Sequence, residues 1–201
     1  MSKLKVDQIS KATGASPAIF TLPASDGTSG QMMKTDGSGQ LGWGAVYSDS
    51  TGAVTKPLTP AFFAYNSIAR SNVTGNGVLY TVLFDTELFD QNADYNDVTG
   101  QFTAPVSGRY FLQAQVATDA QTTTNTDATF QLNTSNKSTD TYYNPGNMEG
   151  PSVTGQCSIS ASGVFDMDAS DTAHIKVRVN QGTQIIGITA NNTWFSGVLV
   201  A

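Results

Sequence analysis

Strict two-residue alternation, repeated in separated runs, constrains this chain more than any other feature. In residues 128–132, Ala128, Phe130 and Leu132 fall on one side and Thr129 and Gln131 on the other. In 173–179, Ala173, Ile175, Val177 and Val179 form one row, and in 110–116 Tyr110, Leu112, Ala114 and Val116 form another. In 153–163, Val153, Gly155, Cys157, Ile159 and Ala161 oppose a row of Thr, Gln and Ser. Successive side chains on a strand point to opposite faces, so each run predicts a strand with one buried side. Residues 78–85 (VLYTVLFD) are apolar on both faces and predict a central strand. No segment sustains a 3.6-residue apolar period. With 185–188 and 194–200 the count is roughly eight to ten strands, the pattern of an all-β sandwich.

Composition agrees. Charged residues make up 13%, about half the usual fraction of roughly 25%, and polar turn formers replace them. The net charge of −6 comes without any Lys/Arg cluster, so a nucleic-acid partner is not expected. Cys157 is the single cysteine; an intrachain disulfide is excluded, and its place on the inward row predicts an inert buried thiol. The opening MSKLKVDQIS lacks the apolar stretch of a secretory signal, and no 18-residue apolar run exists to cross a membrane as a helix. The expectation is synthesis in a reducing cytoplasm, with export only as part of an assembly.

Residues 1–47 differ from the rest of the chain. Leu4, Val6 and Ile9 punctuate one short stretch, Phe20 and Leu22 a second, and Trp43 a later one. Asp26-Gly27 and Asp36-Gly37 signal tight turns and begin a weak ten-residue repeat. Strands this brief do not bury a core within one chain. The segment is therefore either a partly disordered tail or an anchor whose apolar residues Leu4, Val6, Ile9, Phe20 and Leu22 find partners on sister chains or a docking site. Residues 48–60, with Pro57 and Pro60, read as a linker to a head at 61–201.

Few residues suggest chemistry. The only histidine, His174, shares a polar row with Lys176 and Arg178; a lone exposed strand histidine suits neither a triad nor a metal centre, so catalysis is not expected. Asp85, Glu87, Asp90, Asp94 and Asp97 crowd one region and Asp166, Asp168 and Asp171 another. Such oxygen-rich loops either hold Ca²⁺ or are simply solvated, and no EF-hand spacing is present. Tyr142-Tyr143-Asn144, in the polar stretch 134–150, is the best ligand candidate. Exposed aromatics beside Asn and Gly suit a glycan or protein surface, or else pack at a subunit interface.

The frame G-x-F-x-x-P-x-x-G-x-Y runs from Gly100 to Tyr110. It resembles the globular head of the C1q/TNF-like superfamily. Ala61-Phe62-Phe63-Ala64 is similar to the opening strand of that family. Val82-Leu83-Phe84-Asp85, Asn92, Tyr95-Asn96, Gly100 to Pro105 and Gly108-Arg109-Tyr110-Phe111 are similar to its longest motif. Residues 160–171 with 175–177, and Trp194-Phe195-Ser196-Gly197-Val198-Leu199-Val200, follow in the family's order. The resemblance implies a C1q/TNF-like jelly roll assembled as a homotrimer, in some relatives with bound Ca²⁺. Phe62, Phe63, Tyr110, Phe111, Trp194 and Phe195 exceed what inward rows consume, so they divide between core and a shared trimer interface. Ser170-Asp171 replaces the usual Gly-Asp, and neither a collagen stalk nor a cysteine pair accompanies the head. An animal secreted protein is therefore not expected. Residues 21–31 and 36–43 instead resemble the leading part of small bacteriophage tail-fibre and virion proteins. This second resemblance implies a non-catalytic virion component, held to another virion protein by its N-terminal segment and displayed for decoration or host-surface attachment. The rival readings are a non-viral C1q-like binding module and a polysaccharide-degrading spike.

Overall fold

The computed structural model describes residues 6–10, 19–28, 31–44, 47–48, 54–55, 59–145 and 155–201. Leu4, Pro57 and Val153, which the sequence singled out, and residues 146–150 of the polar stretch lie outside them. The chain forms two compact units, Met1–Pro57 and Leu58–Ala201.

The first unit is built of hairpins. β1 (Gln8–Ser10) pairs antiparallel with β2 (Ile19–Thr21), setting Ile9 opposite Phe20. β3 (Met32–Thr35) pairs with β4 (Leu41–Gly44). Asp36 makes that turn by accepting hydrogen bonds from the Ser38 and Gln40 amides at 2.7 and 3.0 Å, as short acidic side chains do in turns. A bridge from Thr21 to Gln40 joins the hairpins. β5 (Tyr47–Ser48) and β6 (Val54–Thr55) form a minimal pair whose second strand falls within the segment expected to be linker. No residue of this unit whose burial is described is fully buried, the outcome expected of strands this short.

The second unit is a two-layer antiparallel jelly roll. Its first sheet contains β7 (Ala61–Tyr65), β8 (Arg70–Thr74), β10 (Thr86–Gln91), β13 (Gly108–Asp119), β16 (Cys157–Met167), β18 (Ile186–Ile188) and β19 (Trp194–Leu199). They run in the order β10-β7-β19-β13-β18-β8, with β16 on the opposite edge of β13. The second sheet contains β9 (Tyr80–Thr81), β11 (Tyr95–Asn96), β12 (Gln101–Thr103), β14 (Ala128–Thr134), β15 (Ser138–Tyr143) and β17 (Thr172–Val179). Its order is β11-β12-β17-β14-β15, with β9 also on β17. Neighbours in either sheet are mostly distant in sequence because the chain crosses repeatedly between layers, as in jelly rolls.

The inward rows meet between the layers. Tyr110, Leu112, Ala114 and Val116 face Phe130, Leu132, Ala173, Ile175 and Val177, all at 0–1% exposure. Phe62 stacks on Phe102 at 4.8 Å and Tyr95 at 5.2 Å and meets Phe195 edge-on at 4.9 Å. Gly100 earns its place in the sequence frame: it has φ +69, and a Cβ there would lie 2.5 Å from the Val82 carbonyl oxygen.

Three expectations need correction. Residues 78–85 do not form a central strand: only Tyr80–Thr81 pairs, with β17 alone. Val82 and Phe84 reach the core from irregular chain, while Val78 and Leu79 stay exposed. Thr129 is buried rather than outward in solvent, because the Arg178 guanidinium reaches over it and donates to its hydroxyl at 3.1 Å. The polar stretch 134–150 is not irregular throughout: after the three residues 135–137 the chain folds back to make β15.

Candidate functional site

The three aromatic doublets, Phe62-Phe63, Tyr110-Phe111 and Trp194-Phe195, sit on β7, β13 and β19. Alternation splits each one. Phe62, Tyr110 and Phe195 are buried in the core, while Phe63, Phe111 and Trp194 stand half-buried on the outer face of the first sheet.

Register turns this face into rows. Ala61, Val198, Phe111 and Val164 lie side by side across four strands. The next row is Phe89, Phe63, Ser196, Gln113 and Ser162, and the third is Tyr65, Trp194, Gln115 and Ser160. Phe63 stacks on Trp194 at 5.6 Å and lies 6.5 Å from Phe89. Val164, Phe89 and Val198 remain 60%, 47% and 37% exposed. No charged side chain stands in these three rows; the first charges, Arg109 opposite Asp166, border them. The face is contiguous and charge-free and carries five exposed or half-exposed rings, features in which interface cores differ from solvated sheets. Phe89, Val164 and Val198 were not legible as members. Phe89 needs the β-bulge that shifts register between Glu87 and Phe89, and Val164 and Val198 join only through cross-strand pairing.

The outer face of the second sheet is its opposite in character. Its rows are Tyr142–Thr129–Arg178, Asp140–Gln131–Lys176–Thr81 and Ser138–Asn133–His174–Gln101. The two tyrosines of the candidate ligand motif sit on successive positions of β15 and point to opposite sides. Tyr142 is 67% exposed. Tyr143 packs beside Ala128, Val179 and Ile186, its hydroxyl accepts from the Gln121 amide at 3.2 Å, and burial pushes its phenol up to about 12. Asn144 follows the strand at intermediate exposure.

His174 is half-buried rather than exposed, with Nδ1 enclosed and without a hydrogen-bond partner. Burial, assisted by Lys176, holds its pKa below the usual value, so the imidazole is neutral at pH 7. Cys157 is buried, and burial raises its thiol pKa.

Two of the acidic residues that suggested Ca²⁺, Asp90 and Asp171, serve as turn caps. Asp90 accepts from the Asp94 and Tyr95 amides at 3.1 and 2.9 Å. Asp171 accepts from Ser135, Asn136 and the Asp168 amide at 2.6–2.8 Å. Among the described residues no three His, Cys, Asp or Glu side chains gather as a metal site. Of the anchoring candidates, Val6, Ile9 and Phe20 are exposed at 46%, 53% and 37%, and Leu22 is intermediate. Ile19, Met32 and Met33 are exposed with them.

The family model described as the C1q domain matches residues 61–200. Among solved structures, the globular domain of zebrafish complement 1qA protein is 19% identical over 71% of this chain and 98% of its own, with a TM-score of 0.47. Murine APRIL at pH 8.5 is 11% identical over 71% and 99%, with a TM-score of 0.47. No curated protein matches the chain in sequence.

Proposed function

We propose that this chain, which belongs to the C1q domain family, is a non-catalytic binding module that associates into homotrimers and serves as a bacteriophage virion protein. Domains of this family typically form trimers. The observation that carries self-association is the charge-free aromatic face of the first sheet. Phe63, Phe111, Trp194, Val164 and Val198 are positioned to be covered by other copies. Covering this much apolar surface is favourable at roughly 25 cal/mol per Å². A trimer presents three equal sites, and three weak contacts made together bind far more tightly than one.

The virion reading rests on the N-terminal unit. The unit leaves Val6, Ile9, Phe20, Met32 and Met33 exposed, and its motifs resemble the leading part of small tail-fibre and virion proteins. In this reading residues 1–47 dock on another virion protein, residues 48–60 are the linker, and residues 61–201 project as a knob for decoration or host-surface attachment. The chain is made in the host cytoplasm and leaves it on the particle. The test is an electron micrograph of particles incubated with gold-labelled full-length chain and with a chain beginning at Leu58. Labelling of capsid or tail by the full chain alone supports the reading. No labelling by either makes the protein a free-standing C1q-like module.

A further inference from the structure

The polar face of the second sheet has one feature that solvation does not explain. Tyr142 holds its ring two-thirds exposed on an edge strand, with its hydroxyl tied to a neighbouring carboxylate. Its hydroxyl donates to Asp140 Oδ2 at 3.1 Å. The other carboxylate oxygen of Asp140 accepts from Gln131 Nε2 at 3.0 Å and from the Ser138 hydroxyl at 2.8 Å. The strand itself is pinned from below by Tyr143. The result is an exposed aromatic ring joined by hydrogen bonds to a carboxylate, which is in turn bonded to an amide.

The electrostatics narrow the occupant. Asp140 and Asp127 are balanced on this face by Lys176 and Arg178, and Arg178 approaches Asp127 at 3.7 Å. The chain as a whole carries −6. A neutral face on an acidic protein neither attracts nor tolerates a polyanion. An apolar partner would have to strip water from Asp140, Gln131 and Lys176, which is costly without replacement hydrogen bonds. A flat molecule with one C–H face and a rim of hydroxyls meets both demands.

We propose that the outer face of the second sheet binds a neutral saccharide, with a pyranose ring stacked on Tyr142 and its hydroxyls bonded to Asp140 and Gln131. This rests on the reading of the head as a displayed binding module and names the ligand class of that module. Because Tyr142, Asp140 and Gln131 are hydrogen-bonded to one another before the sugar arrives, somewhat less side-chain freedom is lost on binding than from unconnected side chains. Repetition in a trimer raises the avidity for a surface polysaccharide.

The experiment uses the full-length chain on a panel of immobilised neutral oligosaccharides built from hexoses and N-acetylhexosamines, followed by titration with the strongest binder. Tyr142→Ala is expected to weaken binding by about tenfold or more, the usual cost of truncating an aromatic anchor, while Tyr142→Phe, which keeps the ring, stays within about threefold. Melting temperatures of both variants stay near that of the parent, because the side chain is exposed. Sedimentation of the same samples reports self-association separately, so loss of the trimer and loss of the site are read apart. Parent chain that binds no neutral oligosaccharide, or binds uronic-acid oligosaccharides alone, overturns the proposal. Tyr142→Ala that binds as tightly as the parent also overturns it.

Discussion

Phe62 and Phe63 are the same side chain one residue apart, and the structure sets them on opposite faces of the first sheet. Phe62 is 1% exposed, stacked between Tyr95 and Phe102, with Phe195 at its edge. Its ring also fills the space that Gly197 leaves: a Cβ on Gly197 would lie 2.6 Å from Phe62 Cε1 and 2.6 Å from Leu112 Cδ2. Phe62→Ala therefore empties a site walled by rings and a strand backbone that have little freedom to collapse. Such truncations cost about 3–5 kcal/mol. In a domain of this size each kcal/mol moves the melting temperature by about 2–4 °C, so the loss is on the order of 10 °C. Phe63→Ser removes a half-exposed ring that touches Trp194 and Phe89. Its cost within one protomer is about 0.5–1.5 kcal/mol, and its main effect falls on association. The assay is thermal melting of each variant over a hundredfold range of chain concentration, with sedimentation of the same samples. Phe62→Ala should lower the melting temperature at every concentration. Phe63→Ser should shift the protein toward monomer and flatten the concentration dependence that mass action gives an oligomer. If Phe63→Ser melts as low as Phe62→Ala at all concentrations and leaves the mass unchanged, the assignment of Phe63 to an intermolecular face is wrong.

Other perturbations read other parts of the structure. Gly197→Ala should destabilise by about 1–3 kcal/mol through overpacking, and denaturant unfolding that shows a gain would contradict the close approach of Phe62 and Leu112 to that glycine. Burial raises the Asp85 pKa, but the Ser67 amide, Thr86 hydroxyl and Arg70 outweigh it and hold the carboxyl below its usual value of 3.8. Its stabilisation is therefore present at neutral pH and lost as pH falls through that lowered value. The stability gap between the parent and Asp85→Asn should accordingly close in acid, and a gap that persists at pH 2 would contradict the assignment. Tyr95→Phe removes a buried hydroxyl that donates to the Phe84 carbonyl at 3.3 Å, and should cost about 0.5–1.5 kcal/mol in chemical denaturation. Cys157, buried and with its thiol pKa raised, should resist a thiol reagent until denaturant is added.

The sandwich was legible because burial on one side of a strand leaves a period-two mark, and β13, β14 and β17 carry it almost without interruption. The segment 78–85 misled because apolar residues on both sides of a chain do not reveal pairing. Val82 and Phe84 enter the core from irregular backbone, and Leu79 stays in water. The aromatic doublets were visible as a surplus of rings, but their division needed the strand boundaries. The rows that unite Phe111 with Val164 and Val198 are products of register between strands far apart in sequence, which composition does not encode. The tyrosine pair read as a loop because Asn, Pro and Gly come directly after it. A turn at 134–137 and pairing with β14 make it a strand instead, and alternation then separates Tyr142 from Tyr143.

The measurement that bears most directly on the central claim is sedimentation equilibrium of the full-length chain at micromolar concentration, beside Phe111→Glu. Phe111 lies in the apolar row between Val198 and Val164, where a buried carboxylate would be left unpaired. The account predicts three times the chain mass for the parent and a single chain mass for a folded, β-rich Phe111→Glu. A parent chain that sediments as a monomer throughout, or a Phe111→Glu variant that remains fully trimeric, would contradict it.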